Sequence, residues 1–160
     1  MRHSAYPRVA NAKRNGIRNY LLEKKIIIVE IVSGLLILLF LYTGLSKLFD
    51  HDVFAFQLGR SPLLQSAAPI LSYALPIIEL ITAILLFTKQ YQAKALNFSF
   101  ILLSSFTVYL IFMVAFYKDL PCTCGGVISK MSWQQHIVFN LIITFLTFLA
   151  IRLNRKMNIA

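Results

Sequence analysis

The sequence has little charge and very little cysteine for its length. Of its 160 residues, 14% are charged and 58% are hydrophobic, whereas a soluble domain averages about 25% charged and about 45–50% apolar residues. This composition excludes an ordinary soluble globular domain. The two cysteines, Cys122 and Cys124, are too few for a disulfide scaffold and too close together to link distant segments. Any thiol chemistry is therefore local to one loop.

The chain has long apolar runs instead. A helix rises about 1.5 Å per residue, so about 20 apolar residues cross a bilayer core of about 30 Å. Four runs of this length are present, at residues 26–46, 66–88, 95–117 and 133–151. We therefore predict an all-α membrane protein, a bundle of four transmembrane helices.

Acidic residues are scarce, and the basic residues are unevenly placed. Twelve Lys and Arg lie before the first run, between the second and third runs, or after the fourth, against four in the other two connections. Basic residues are retained on the cytosolic side, so we predict basic cytosolic tails at 1–25 and 152–160. The cysteine loop then faces the periplasm or exterior of a bacterial inner membrane. This topology explains the net charge of +10 without a nucleic-acid partner, and the first tail has no apolar stretch typical of a cleavable signal peptide.

Cys122 and Cys124 form the first candidate site. They lie in the sequence Pro-Cys-Thr-Cys-Gly-Gly at 121–126, in which proline and glycine favour a tight turn. A disulfide across one spacer residue is strained and exposed, and such bridges exchange more readily than buried structural ones. We predict a redox pair, with a structural clip or two inert thiols as alternatives. A zinc site would need about four ligands, and only Asp119 and His136 are close additional candidates.

His136 and Lys47 are candidate helpers of the cysteine pair. His136 shares a helix face with Trp133 and Asn140, and as an imidazolium it could stabilise a thiolate or carry protons. The alternatives are an interfacial histidine and, for Trp133, an aromatic anchor at the membrane surface. Lys47 ends the first run at the level of the cysteine loop. It could stabilise a thiolate there, extend to the interface, or pair with Asp50.

Glu79 is an ionisable residue inside the second run, where charge is costly. Counted from the cytosolic end, it lies roughly 13 Å deep, level with Ser104 and Ser105 and with residues 140–144, and far from Lys47. The prediction is a neutral carboxyl that joins helices by hydrogen bonds. The alternative is a proton-relay or quinone-binding residue. Two glycines inside the first run, Gly34 and Gly44, are expected to allow close helix contact.

Several of these features occur in an order that resembles a known family. They are Gly-Leu-Ser-Lys at 44–47, Ser-Pro at 61–62, Leu-Pro at 75–76 with Glu79, the motif at 121–126, and a fourth run that opens at Trp133 and contains Asn140. Over roughly residues 26–151 the chain resembles the DoxX-like superfamily, and most closely its methylamine utilisation protein MauE branch.

The resemblance implies a four-helix inner-membrane protein associated with thiol chemistry. The founding member of that branch is needed to mature methylamine dehydrogenase, a periplasmic enzyme rich in disulfides. Cys122 and Cys124 match the paired cysteines of the family, although relatives often carry phenylalanine where this chain has Gly125 or Gly126.

The residues and the resemblance together predict a thiol–disulfide protein that exchanges electrons with a periplasmic thioredoxin-like or client protein and assists maturation of the client. If it is an enzyme, it is a thiol–disulfide oxidoreductase. One alternative is a quinone-linked thiol oxidoreductase of the vitamin K epoxide reductase type, which normally uses a second Cys-x-x-Cys pair that this chain lacks. Another is a non-redox accessory subunit or small transporter in which Glu79 is the working residue.

Overall fold

The computed structural model describes residues 6–116 and 132–158, and every regular element within them is helical. The elements are α1 (Tyr6–Phe49), α2 (His51–Arg60), a single 3-10 turn (Gln65–Ala67), α3 (Ala68–Phe87), α4 (Gln92–Phe116) and α5 (Trp133–Asn158). Four helical stretches are long and apolar enough to cross a membrane, at Leu22–Phe49, Gln65–Phe87, Gln92–Phe116 and Gln134–Arg155. The predicted fold class, an all-α bundle of four membrane-spanning helices, is confirmed.

Two helical stretches were not predicted from the sequence. The first is the beginning of α1, which is helical from Tyr6, well before its apolar part. Pro7 lies in its first turn, where a missing backbone N–H removes no helical hydrogen bond.

The second is α2, which occupies a segment that the sequence suggested was a plain connection. Its buried residues Phe54 and Leu58 are four positions apart and therefore share one helix face. The helix stops before Ser61, which is extended because the following proline disfavours helical backbone there.

Contacts at both ends of α2 attach it to α3 and α4. The ring of His51 stacks on Tyr73 with 4.1 Å between centroids, and Ser61 Oγ lies 2.9 Å from the hydroxyl of Tyr109. Between these contacts, the buried side chains of α2 pack in a small apolar cluster with Ala68. The short helix is therefore part of the bundle.

The long helices alternate in direction. Near one end, Glu30 of α1 forms an ion pair with Lys89, and Gln92 Nε2 donates to Ser33 Oγ at 3.1 Å. At the other end, where α1 finishes and α5 begins, α2 is attached, and we call this the α2 end. The connection 117–131 joins α4 to α5 at the α2 end. It contains Cys122 and Cys124, which lie outside the described residues.

The core is narrow because the bundle also presents an apolar outer surface. On α1 the buried positions recur every three or four residues, and they pack against α3, α4 and α5: Val29, Val32, Leu36 and Phe40. Many large apolar side chains point outwards, among them Leu38, Ile84 and Val108, which are 68%, 65% and 66% exposed. In a bilayer such side chains contact lipid, so their exposure carries no penalty.

Of the two glycines expected at helix contacts, only Gly44 lies at one. A Cβ atom at Gly44 would lie 3.1 Å from Leu80 Cγ and 3.3 Å from the carbonyl oxygen of Pro76. At Gly34 a Cβ atom would meet nothing within 4 Å, so that part of the prediction is wrong. Gly44 lets α1 and α3 approach closely at one point.

Gly44→Ala is therefore expected to be less stable than Gly34→Ala by at least about 1 kcal/mol, since overpacking a tight contact typically costs about 1–3 kcal/mol. Both variants gain the same helix propensity, about 1 kcal/mol, which cancels in the comparison. Unfolding of the purified proteins by sodium dodecyl sulfate in mixed micelles measures the difference. Equal stability of the two variants would contradict the close packing at Gly44.

Candidate functional site

Lys47 of α1 and Glu79 of α3 form a buried ion pair in the bundle. The ammonium of Lys47 donates a hydrogen bond to Glu79 Oε1, and the two side chains are only 7% and 8% exposed. The expectation that Lys47 lies far from Glu79 is therefore wrong, and Glu79 rather than Asp50 is the acidic partner of Lys47. The two ionisable residues that the sequence analysis treated separately belong to one site.

The close approach of α1 and α3 explains how this pair forms. Lys47 follows Gly44 by three residues, and Glu79 follows Pro76 by three residues, so both lie one turn from the tight contact between the helices. Side chains on a helix lean towards its N-terminus. Because α1 and α3 run in opposite directions, Lys47 leans into the bundle while Glu79 leans towards the α2 end. The two charged groups meet although their backbone positions differ in depth.

Aromatic rings cover the ammonium group of Lys47. Its Nζ atom lies 5.7 Å from the ring centroid of Phe54 on α2 and 5.9 Å from that of Phe106 on α4. Both distances are within the range of cation–π attraction. Four helices thus surround the ion pair, because α1 and α3 supply the charges while α2 and α4 supply the rings.

His136 and Asn140 of α5 complete a polar cavity around this pair. The cavity has a volume of about 50 Å³ and a wall of mixed character. Its polar residues are Thr43, Lys47, Glu79, His136 and Asn140, and six apolar residues, including Leu102 and Phe106, form the rest. His136 and Asn140 are 8% and 5% exposed, and Asn140 Nδ2 donates to the backbone carbonyl of His136 at 3.1 Å. A polar space of this size is large enough for a few water molecules.

One carboxylate oxygen of Glu79 is left without a hydrogen bond. Oε1 accepts from Lys47, whereas Oε2 is buried and has no partner among the described residues. Buried polar atoms are nearly always satisfied, and an unsatisfied one typically costs about 1–3 kcal/mol. This oxygen is enclosed by the protein rather than exposed to the cavity, so the Lys47–Glu79 pair carries an uncompensated buried acceptor.

A larger apolar groove adjoins this cavity. It has a volume of about 380 Å³ and lies between α2, α3 and α4, with Gln57, Ser105 and Tyr109 as the polar residues of an otherwise apolar wall. Leu102 and Phe106 line both spaces. The polar cavity and the apolar groove are therefore adjacent, with Leu102 and Phe106 between them.

The structure brings together three of the five predicted site residues. Lys47, Glu79 and His136 line the same cavity, and of the predicted polar layer Asn140 joins them, whereas Ser105 lines the groove. The roles assigned to Cys122 and Cys124 stay predictions. Trp133 begins α5.

The ion pair was detectable in principle from the sequence. A buried acid in a membrane span requires a polar or cationic partner, and Lys47 directly follows the first apolar run, at the α2 end. A second signal for the pair is that Lys47 follows Gly44 and Glu79 follows Pro76 by the same three residues, about one helical turn. The aromatic cover is different, because no local pattern distinguishes Phe54 or Phe106 from the other phenylalanines.

One family model matches the chain. It is described as Methylamine utilisation protein MauE, and the match covers residues 25–153, which include all four apolar stretches and every residue of the polar cavity. No curated protein and no solved structure matches the chain.

Proposed function

The chain belongs to the Methylamine utilisation protein MauE family, a membrane protein family linked by name to methylamine utilisation, and from this premise we propose that it exchanges disulfides with an exterior client protein. Cys122 and Cys124 are the exchanging pair in this proposal, and the exchange assists the maturation of the client. The observation that carries the proposal is the buried cluster of Lys47, Glu79 and His136 at the α2 end of the bundle.

The cluster supports the proposal through its position in the chain. His136 follows Ser132 by four residues, so it lies roughly 6 Å along α5 from the point where the cysteine-containing connection meets the helix. The backbone N–H of His136 donates to the carbonyl of Ser132 at 3.0 Å, which ties this first turn to the end of the connection. Thiol exchange requires thiolates, and a nearby imidazolium or ammonium favours thiolate formation.

The exchange itself needs only the two sulfurs and a client dithiol. A client thiolate attacks one sulfur of the Cys122–Cys124 disulfide, which forms a mixed disulfide and releases the other cysteine as a thiolate. The second client thiolate then attacks the mixed disulfide. The client gains a disulfide and loses two electrons, and the cysteine pair is left reduced. The same steps in reverse reduce a client.

The charge distribution supports an exterior position for this chemistry. The basic residues are concentrated on the tails and on the turn between α3 and α4, which favours a cytosolic location for that side of the bundle. The opposite side then faces the periplasm or exterior, where disulfides persist. A periplasmic thioredoxin-like protein or a disulfide-containing client is the partner in this arrangement.

Trapping of a mixed disulfide tests the proposal. With Cys122→Ser or Cys124→Ser in living cells, the surviving thiolate is expected to attack a disulfide of an exterior partner and release one partner thiolate. The mixed disulfide should persist, because the second cysteine that would resolve it is absent. Rapid alkylation followed by non-reducing electrophoresis detects the adduct, which should disappear on reduction.

The double variant Cys122→Ser/Cys124→Ser is the matched control and should trap nothing.

The orientation has its own test. In intact cells, a membrane-impermeant thiol reagent should label the reduced wild-type protein without permeabilisation, while a reporter fused after Ala160 reads as cytosolic. Labelling only after permeabilisation would overturn the orientation. Absence of an adduct from both single variants would count against thiol exchange.

A further inference from the structure

The apolar groove between α2, α3 and α4 lies within the membrane-spanning part of the bundle. Its lining on α4 extends from Phe98 to Leu110, and each of these two residues is six positions from the nearer end of that helix. The groove therefore covers roughly 18 Å of helix, slightly more than half of a bilayer core of about 30 Å. Phe98 and Ile101 on its rim are 44% and 61% exposed, so an acyl chain can enter from the side.

The walls of the groove fit such a chain. Its volume of about 380 Å³ falls within the usual range for ligand pockets, about 300–1,000 Å³. No charged residue is among the described residues that line it, and all but Gln57, Ser105 and Tyr109 are apolar. The hydroxyl of Tyr109 is paired with Ser61. An unfilled space of this kind would forfeit van der Waals contacts along its walls, so a flexible apolar tail is stabilised there.

Arg60 lies beside one end of the groove. It follows Gln57, a lining residue, by three positions, and residues at this spacing are neighbours on a helix surface. The next residue, Ser61, has its hydroxyl 2.9 Å from that of Tyr109, which lines the groove next to Leu110. A positive charge therefore lies where the groove approaches the membrane surface at the α2 end.

The guanidinium of Arg60 is accessible to a ligand. The side chain is exposed and lies over the ring of Phe56, with 5.7 Å between Cζ and the ring centroid. In the part of the chain that the structure describes, Arg60 forms no ion pair with an acidic side chain. A charge close to hydrocarbon is costly unless it is paired, and guanidinium binds phosphate oxygens in a bidentate manner. Arg60 thus supplies a partner for a lipid phosphate.

We propose that this groove binds an anionic phospholipid from the leaflet at the α2 end, with one acyl chain between α2, α3 and α4 and the phosphate on Arg60. An anionic head group is preferred to a zwitterionic one, because the ammonium of a zwitterionic head offsets the attraction to the guanidinium. The bound lipid fills the space between α2 and the spans and so helps to hold α2 on the bundle. The site needs neither the cysteines nor a client, and it goes beyond the proposed function.

Photolabelling of Arg60 variants tests the head-group contact. The probe is phosphatidylglycerol with a diazirine at the end of one acyl chain, added to the full-length protein in phosphatidylcholine nanodiscs. Saturable labelling is expected on peptides of α3 and α4, and it should exceed that of a phosphatidylcholine probe with the same chains. Arg60→Gln should lower labelling by phosphatidylglycerol about fivefold, the effect expected of one basic residue on an anionic lipid.

Arg152→Gln is the matched control for the charge. Arg152 is also exposed and also lies over a ring, with 5.0 Å between its Cζ and the centroid of Phe148. It belongs to α5 at the opposite end of the bundle and does not line the groove. Its replacement should leave labelling of α3 and α4 at the wild-type level.

A substitution inside the groove tests the position of the acyl chain. Ser105 lines the groove and is exposed, so Ser105→Phe places a ring in the groove without overpacking the core. Saturable labelling should be lost in Ser105→Phe and retained in Ser105→Ala. Leu38→Phe is the control for an added ring, because Leu38 is 68% exposed on α1, which does not line the groove. Its labelling should equal that of the wild-type protein.

Two results overturn the proposal. Equal labelling of Ser105→Phe and Leu38→Phe shows that the chain does not occupy the groove. Equal labelling by the two head groups, unchanged in Arg60→Gln, shows that the groove accepts any acyl chain and that Arg60 holds no phosphate. Neither result bears on the trapping of a client by the single-cysteine variants, so thiol exchange is judged separately.

Discussion

Removal of one charge from the Lys47–Glu79 pair is expected to destabilise the bundle far more than removal of both. Lys47→Met leaves Glu79 buried without its cation, and Glu79→Leu leaves Lys47 without its anion. Breaking a buried pair in this way typically costs about 3–5 kcal/mol. The double variant Lys47→Met/Glu79→Leu removes both desolvation penalties, so its free energy of unfolding is expected to return to within about 1 kcal/mol of the wild-type value.

Unfolding by sodium dodecyl sulfate in mixed micelles measures the four proteins of this cycle. The exposed pair of Lys89 and Glu30 provides the control, because its side chains are 71% and 41% exposed and exposed pairs contribute about 0–1 kcal/mol. Lys89→Met should therefore have little effect. If the double variant at the buried site is destabilised by the sum of its single variants, the two residues act independently and the ion pair has no energetic role.

Glu79→Gln separates a structural role from a chemical one. Glutamine keeps the shape of the side chain and can still accept a hydrogen bond from Lys47, so its stability should lie between the wild-type value and that of Glu79→Leu. A Gln variant that folds at the wild-type level but loses client oxidation would show that the carboxylate itself is needed. That result favours a role for Glu79 in proton transfer or quinone binding.

The membrane-spanning helices could be predicted because bilayer thickness fixes their length. About 20 apolar residues are needed for each crossing, and the four runs in this sequence are separated by charged or proline-containing segments. The helix α2 gave a weaker signal. Its ten residues contain Gly59 and four polar side chains, and only packing against α3 reveals that Phe54 and Leu58 form an inner face.

The site was harder to predict than the helices because depth was counted along the backbone. That count placed Lys47 and Glu79 at different levels, which is correct for their Cα positions in an idealised pair of spans. It omitted the length of the lysine side chain, the direction in which helical side chains lean and the close contact at Gly44. The first two are local properties of helical side chains and the third is tertiary, and together they bring the ammonium to the carboxylate.

Loss of either cysteine is expected to abolish client oxidation completely. A single thiol can enter a mixed disulfide but cannot form the intramolecular bridge that Cys122 and Cys124 provide, so Cys122→Ser and Cys124→Ser should each leave the client as reduced as in cells without the protein. The redox state of the trapped client, followed by alkylation and gel shift, is the measurement. Membrane levels of the variants should equal the wild-type level, because the pair lies in a connection outside the spans.

The one-residue spacer also predicts how readily this bridge is reduced. A disulfide across Cys-x-Cys bends the backbone of a very small ring, and strained, exposed bridges have less negative potentials than structural disulfides, which lie below about −300 mV. Equilibration with glutathione buffers should therefore reduce the pair where a structural clip would stay oxidised. If the single variants and the double variant all keep the client fully oxidised, the cysteines are a clip or inert. The working residue of a non-redox accessory subunit or transporter would then be Glu79, buried beside Lys47.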